Sequence, residues 1–203
     1  MATDRTALAQ LSFEPSMPDF VAAEWVFTGN AKDNVKQDAH CSICGRKHVR
    51  YQYQIRNKLT KHREWAGETC VVGSGMAGFL DGKKVSGEAL KTALREARVG
   101  MDREHALRAL EKVAESNGHP SLFGALKRLR AKGVVSPRQA GAVFYAAAKE
   151  SIEVGPGLFK ISMKTNKHKQ QVRDLPDKIF NIVISKIDSG SRKTAIKIRG
   201  SSE

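Results

Sequence analysis

Every cysteine of the chain lies in one 30-residue window, as Cys41, Cys44 and Cys70. Between the second and the third, Val49, Tyr51, Tyr53 and Ile55 alternate with Arg50, Gln52, Gln54 and Arg56. A period of two marks a strand with one buried face. The segment "NKLTKH" supplies a turn and Arg63 to Ala66 the returning strand. Pairing about a turn centred near Leu59 and Thr60 sets Cys70 opposite Val49, so the hairpin carries the third thiol back to the first two. Cys-x2-Cys followed by Gly45 is the spacing with which two thiolates converge on one ion while turn amides point at the sulfurs, and glycine permits that turn. An odd number of cysteines in one window makes a poor disulfide framework. A redox pair belongs at the start of a helix, and here an alternating strand follows. The expectation is a Zn2+ site held by Cys41, Cys44 and Cys70.

A fourth ligand does not close the pattern. His62 falls in the turn, and eight extended residues of about 3.3 Å each put it roughly 25 Å from the cysteine pair. His40 and His48 flank the pair. His40 is favoured because it lies on the approach to the knuckle, whereas His48 begins a strand of fixed direction. Glu68, a water or an external ligand are the other ways to complete the shell.

The frame C-x2-C-G, then "VRYQYQIRN", then "AGETC" resembles the zinc-binding β-hairpin modules of the zinc-ribbon and treble-clef groups. It is also similar to small proteins of phages and mobile elements. The resemblance covers about 35 of 203 residues and implies a structural zinc. It departs from the treble clef in having Gly73 where that group's fourth cysteine stands.

Three protein ligands plus water is also the composition of a catalytic zinc site. Zinc deaminases place an H-x-E upstream of their C-x2-C. The H-x-E of this chain, His62-Arg63-Glu64, follows the pair and sits at the hairpin tip. No H-E-x-x-H, Walker loop or G-x-S-x-G occurs. A non-catalytic protein is expected.

The formal net charge is +14, which favours an acidic partner, most commonly nucleic acid. The charge is uneven. Residues 1–31 carry Arg5 against four acids, residues 46–63 carry seven basic side chains and no acid, and residues 158–200 carry eleven basic side chains and three acids. The expected nucleic-acid contacts are Arg46, Lys47, Arg50, Arg56, Lys58, Lys61 and Arg63 on the hairpin, Lys127, Arg128 and Arg130 on a helix, and Lys164, Lys167, Lys169 and Arg173 near the C-terminus. Arginine and glutamine on a β-ribbon can meet phosphates or base edges of DNA or RNA. Tyr51 and Tyr53 are expected in the core against Trp25, Phe27 or the helices, with stacking on unpaired bases as the alternative. The overall expectation is a zinc-stabilised nucleic-acid-binding protein, a regulator of a phage or mobile element. The alternative is a factor docking on an acidic surface of host machinery such as RNA polymerase or a defence complex.

The expected fold class is α+β. Residues 1–18 read as an irregular leader, 19–82 as the zinc-binding hairpin domain, 83–154 as a helical bundle, and 155–203 as a basic αβ segment. "FVAAEWVFTGN" reads as a strand closed by Gly29 and Asn30. Helices are expected after the caps Ser86, Asp102, Ser121 and Ser136, the last with Pro137 at the first helical position. After Gly157, a strand over residues 159–163, two helices and a final strand "TAIKIRG" are expected. The N-terminus lacks the basic-then-apolar layout of a signal peptide, and no stretch approaches the roughly 20 apolar residues of a membrane span. A cytoplasmic location and no membrane partner are expected.

Overall fold

A computed structural model describes residues 6–17, 23–80 and 82–200. The fold is mixed α+β and divides into two compact units, Met1–Met101 and Asp102–Glu203. Among the described residues no helix is long and apolar enough to cross a membrane.

The first unit is built on five strands in the order β3-β2-β1-β4-β5: β1 (Trp25–Asp33), β2 (Tyr51–Asn57), β3 (Arg63–Gly67), β4 (Ala77–Leu80) and β5 (Lys83–Val85). The hairpin forms as its alternation requires. Tyr53 faces Ala66 and Gln54 faces Trp65, the register implied by a turn at Leu59 and Thr60. Buried Asn57 organises that turn, its Oδ1 accepting from the N–H groups of Leu59 and Thr60 at 2.8 and 2.9 Å. Tyr53 and Ile55 enter the core with Trp25, Phe27, Leu90 and Leu94. Tyr53 meets Phe27 edge to face at 5.9 Å and donates its hydroxyl to Leu94 O. β4 pairs parallel to β1.

Three details of this unit differ from expectation. β1 does not stop at Gly29 and Asn30 but passes through a bulge between Phe27 and Ala31 and continues to Asp33; a bulge absorbs the irregular residues without ending the ladder. Residues 20–22 of the expected strand lie outside the described residues, and Ala23 and Glu24 are helical. Gln52, expected to face outward, is 2% exposed. Its amide donates to His40 O and accepts from Asn34 Nδ2, because the loop before the knuckle covers that side of β2.

The described part of the leader is docked rather than loose. A short helix, α1 (Thr6–Ala9), is followed by residues tied to the sheet: Trp25 Nε1 donates to Ser12 Oγ at 2.8 Å, and Thr60 Oγ1 to Leu11 O at 2.9 Å. The short helix α2 (Glu68–Gly73) follows β3.

The long helix α3 (Gly87–Asn117) runs through Gly100 and Asp102, where two helices were expected. An interior glycine costs a helix about 1 kcal/mol, which packing overrides here. Leu90, Leu94, Ala97 and Met101 form one stripe on the first core across this point, and Ala106, Leu107, Leu110 and Ala114 serve the second.

In the second unit α3 is followed by α4 (Pro120–Lys132), β6 (Val134–Val135), α5 (Pro137–Lys149), β7 (Lys160–Ile161), α6 (Asn166–Arg173), α7 (Asp177–Lys186) and α8 (Ser189–Gly200). α4 starts one residue before Ser121, with Pro120 at its first position and His119 as the cap residue. α5 opens as read, with a capping box between Ser136 and Gln139. One core joins α3, α4 and α5 to Leu158, Phe159, Val172, Phe180, Val183 and Ile187, so residues beyond 155 share it with the helices before them. The expected strand over 159–163 shrinks to β7, paired parallel to β6. The expected strand "TAIKIRG" is helix α8: Asp188 Oδ1 accepts the Ser191 N–H at its start, and Ala195 and Ile198, three apart, are buried while Ile196 is 52% exposed.

α5 and α7 touch at Gly141, where an added Cβ would lie 2.9 Å from Ile179 Cγ2. Overpacking of this kind costs about 1–3 kcal/mol. Gly141→Val is expected to lower the urea midpoint correspondingly; an unchanged midpoint would mean that the two helices are not held at this distance.

Candidate metal centre

The segment from Ala39 to Val49 folds into a small loop closed by backbone bonds from Val49 N to Ala39 O and from Cys41 N to Arg46 O. Gly45, at φ 66°, takes the left-handed conformation that returns the chain. The knuckle lies along β3: Ser42 N donates to Trp65 O at 2.9 Å, and Ser42 Oγ to Glu64 Oε2 at 2.7 Å. Beyond Gly67 the chain turns into α2 and delivers Cys70 to the same place.

The sulfur atoms of Cys41, Cys44 and Cys70 come within 4.8 Å of one another, with Cys44 and Cys70 at 3.3 Å. A tetrahedral ion with metal–sulfur bonds of about 2.3 Å separates its sulfurs by about 3.8 Å, so the three thiols fit a metal ion. Cys41 and Cys70 are buried and Cys44 is exposed. The Gly67 N–H points at Cys41 Sγ at 3.4 Å. The backbone N–H of Arg46 holds the Cys44 thiol below its ordinary range against the opposing effect of burial. Burial pushes the Cys70 thiol well up, and its two sulfur neighbours add to the rise. Three sulfurs this close can all ionise only with a cation among them.

Among the described residues the group that comes together is the three thiols. His40 is exposed and pairs through its backbone with Lys47. In extended chain, neighbouring side chains point to opposite faces, so the inward turn of Cys41 sends His40 outward. His48 sits at φ 61°, which breaks the alternation, and lines a cleft of about 500 Å³ together with the three cysteines, Arg46 and Glu68. His48 Nδ1 lies 3.0 Å from Gln37 O, and Glu68 is paired with Arg98 at 3.3 Å. His62 stays at the hairpin tip against Leu11 O and Thr60 Oγ1. Glu64 of the H-x-E run is not at the tip but beside the knuckle, where it accepts the Ser42 hydroxyl. The knuckle folds back along β3, so Glu64 is nearer the cysteines than its distance along a straight hairpin implies.

Of the basic residues singled out from the sequence, Arg46, Lys47, Arg56, Lys58, Lys61, Arg63, Lys127, Arg128, Lys164, Lys167 and Arg173 are exposed and Lys169 is half-buried. Two are paired with carboxylates, and Arg128 and Lys61 donate to the backbone carbonyls of Val134 and Lys58. Arg50 pairs with Asp33 at 3.0 Å, and Arg130 pairs with both Glu104 and Glu111. Sequence reading missed Arg138, which sits in the first turn of α5. The available signal was a basic residue two places after a cap, where the helix dipole disfavours it. No protein-family model matches the chain, and neither a curated protein nor a solved structure is significantly similar to it.

Proposed function

We propose that the protein is a nucleic-acid-binding protein in which Cys41, Cys44 and Cys70 hold a structural Zn2+. The single observation that carries this reading is the distribution of a +14 charge over exposed side chains. Arg46, Lys47, Arg56, Lys61 and Arg63 surround the hairpin with no carboxylate partner among the described residues. Unpaired cations on one ribbon repel one another and are offset by phosphates. The zinc supplies cross-linking between knuckle and hairpin. Zinc rather than a redox role suits three thiolates brought together from a turn and the following short helix. His48 is the fourth ligand in this reading. A carbonyl at its Nδ1 fixes the tautomer that leaves Nε2 free for a metal, and the residue lines the thiol cleft. The role is non-catalytic in this reading, in which Glu64 accepts the Ser42 hydroxyl and Glu68 is paired with Arg98.

Fluorescence anisotropy with labelled single-stranded DNA, duplex DNA and RNA tests the reading. At least one probe is expected to bind, with affinity falling tenfold or more between about 50 and 200 mM salt as counterions are released. Binding that is undetectable or insensitive to salt overturns it. Retention of the same protein partners from nuclease-treated lysate would instead favour docking on an acidic protein surface.

A further inference from the structure

In the second unit, a cleft of about 430 Å³ opens between α4 and the first turns of α5 and α6. Arg128, Arg138, Lys167 and His168 line it, with hydroxyl and amide groups from residues such as Ser136 and Gln171 and with no carboxylate. Both helices begin without an acidic residue in their first turn. Instead Arg138 and Lys167 stand there, so cationic side chains meet the positive ends of two helix dipoles. Among the described residues neither Arg128, Arg138 nor Lys167 has a carboxylate partner.

The contrast with Arg130, two residues along the same helix from Arg128, is informative: it takes carboxylates from Glu104 and Glu111. The fold neutralises a cation there and leaves three cations lining the cleft without a carboxylate among the described residues. His168 adds a second irregularity, since its Nδ1 is buried with no hydrogen-bond partner among the described residues. The capping groups do not use up the cleft's donors. Ser136 Oγ accepts from Gln139 N and Thr165 Oγ1 from His168 N, Arg128 Nε donates to Val134 O at 3.3 Å, and among the described residues the guanidinium of Arg138 and the ammonium of Lys167 have no protein acceptor.

We propose that this cleft is an oxyanion site that binds a phosphate group, with Arg128, Arg138 and Lys167 as the charged ligands. Planar guanidinium groups suit the bidentate geometry of a phosphate and lysine adds a mobile point charge. The source of the phosphate, a nucleic-acid backbone, rests on the function proposed above. A free phosphate or phosphate monoester is the other source of the same chemistry.

The test uses the full chain in three forms: wild type, the triple variant Arg128→Ala, Arg138→Ala, Lys167→Ala, and a charge-matched control, Lys36→Ala, Lys83→Ala, Lys84→Ala. All six positions are exposed. In the first arm, inorganic phosphate is titrated while amide NMR signals are followed. Saturable shifts at Ser136, Arg138, Lys167 and His168 are expected in the wild type and the control and should vanish in the cleft variant. In the second arm the labelled oligonucleotides are used. The cleft variant should lose about tenfold or more in affinity and about 2–3 from the salt slope, at roughly 0.7–0.9 per phosphate contact, against a smaller loss in the control. Saturable phosphate shifts with no oligonucleotide binding support the site and overturn the proposed function. Absence of phosphate shifts, with cleft variant and control binding oligonucleotide alike, overturns the site; the wild type's own binding then decides the proposed function separately.

Discussion

Replacing Cys70 with serine is expected to abolish stoichiometric zinc binding and to unfold the first unit at a temperature where the wild type is folded. Structural zinc supplies about 10–16 kcal/mol of apparent binding energy in small domains, which is folding energy because the ligands are not preassembled in the unfolded chain. Here Cys41 and Cys70 sit inside the first core with Tyr53, Ile55 and Val71, so loss of the ion leaves three crowded thiols at the point where knuckle, hairpin and α2 meet. A chelator should have the same effect on the wild type. Both tryptophans, Trp25 and Trp65, lie in the first unit, so their fluorescence reports that unit directly. Metal content by mass spectrometry, read beside the fluorescence melt, decides the matter. A Cys70→Ser protein that keeps one zinc per chain, or melts like the wild type, would refute a structural metal. The fourth position is tested in the same assay. His48→Ala is expected to weaken zinc affinity by about tenfold or more, on the scale at which single partners of a metal site matter, while His40→Ala leaves it unchanged; the reverse result would restore His40.

How far the sequence carried these conclusions depends on whether an element's signal was local. The hairpin was legible because its alternation and its turn both lie within about 20 residues, and its register alone placed Cys70 near the knuckle. The capping box at Ser136 was legible for the same reason. Asp102 misled because a capping residue following Gly100 is a local stop signal, and the stripe of Leu90, Leu94, Ala97 and Met101 that overrides it acts through tertiary packing. "TAIKIRG" misled because so short an apolar run fits either period; burial of Ala195 and Ile198 against the second core decides for helix. The choice between His40 and His48 was not legible, because side-chain direction in a small loop leaves no periodic trace in the sequence. The cationic cleft draws on α4, α5 and α6, which no spacing in the sequence connects.

Glu24 was read from the sequence only as one acid among four, yet its replacement carries the second large expected effect. Its carboxylate is 4% exposed and accepts three hydrogen bonds, from Asn57 Nδ2 at 2.7 Å, Phe13 N at 2.8 Å and Glu14 N at 3.0 Å. It therefore joins the leader to the end of β2. Burial alone would raise its pKa, but these donors, with help from Lys58, hold it below its ordinary value of 4.5. Hydrogen bonds to a charged group contribute about 1.5–3 kcal/mol each. Phe13 and Glu14 are exposed enough to regain water, whereas Asn57 is fully buried and would be left with an unpaired amide. Glu24→Ala is accordingly expected to cost about 3–5 kcal/mol in tryptophan-detected urea unfolding at pH 7. Because the folded pKa is depressed, the charge-dependent part of this stabilisation is complete above pH 4.5 and is lost as pH falls through the lower folded value. Glu24→Gln cannot titrate, so the stability of the first unit should fall less steeply with acid in that variant than in the wild type. An alanine variant within about 0.5 kcal/mol of wild type, the range of ordinary surface substitutions, would show that the leader does not depend on Glu24. A glutamine variant with the wild-type acid profile would place the acid sensitivity in other carboxylates.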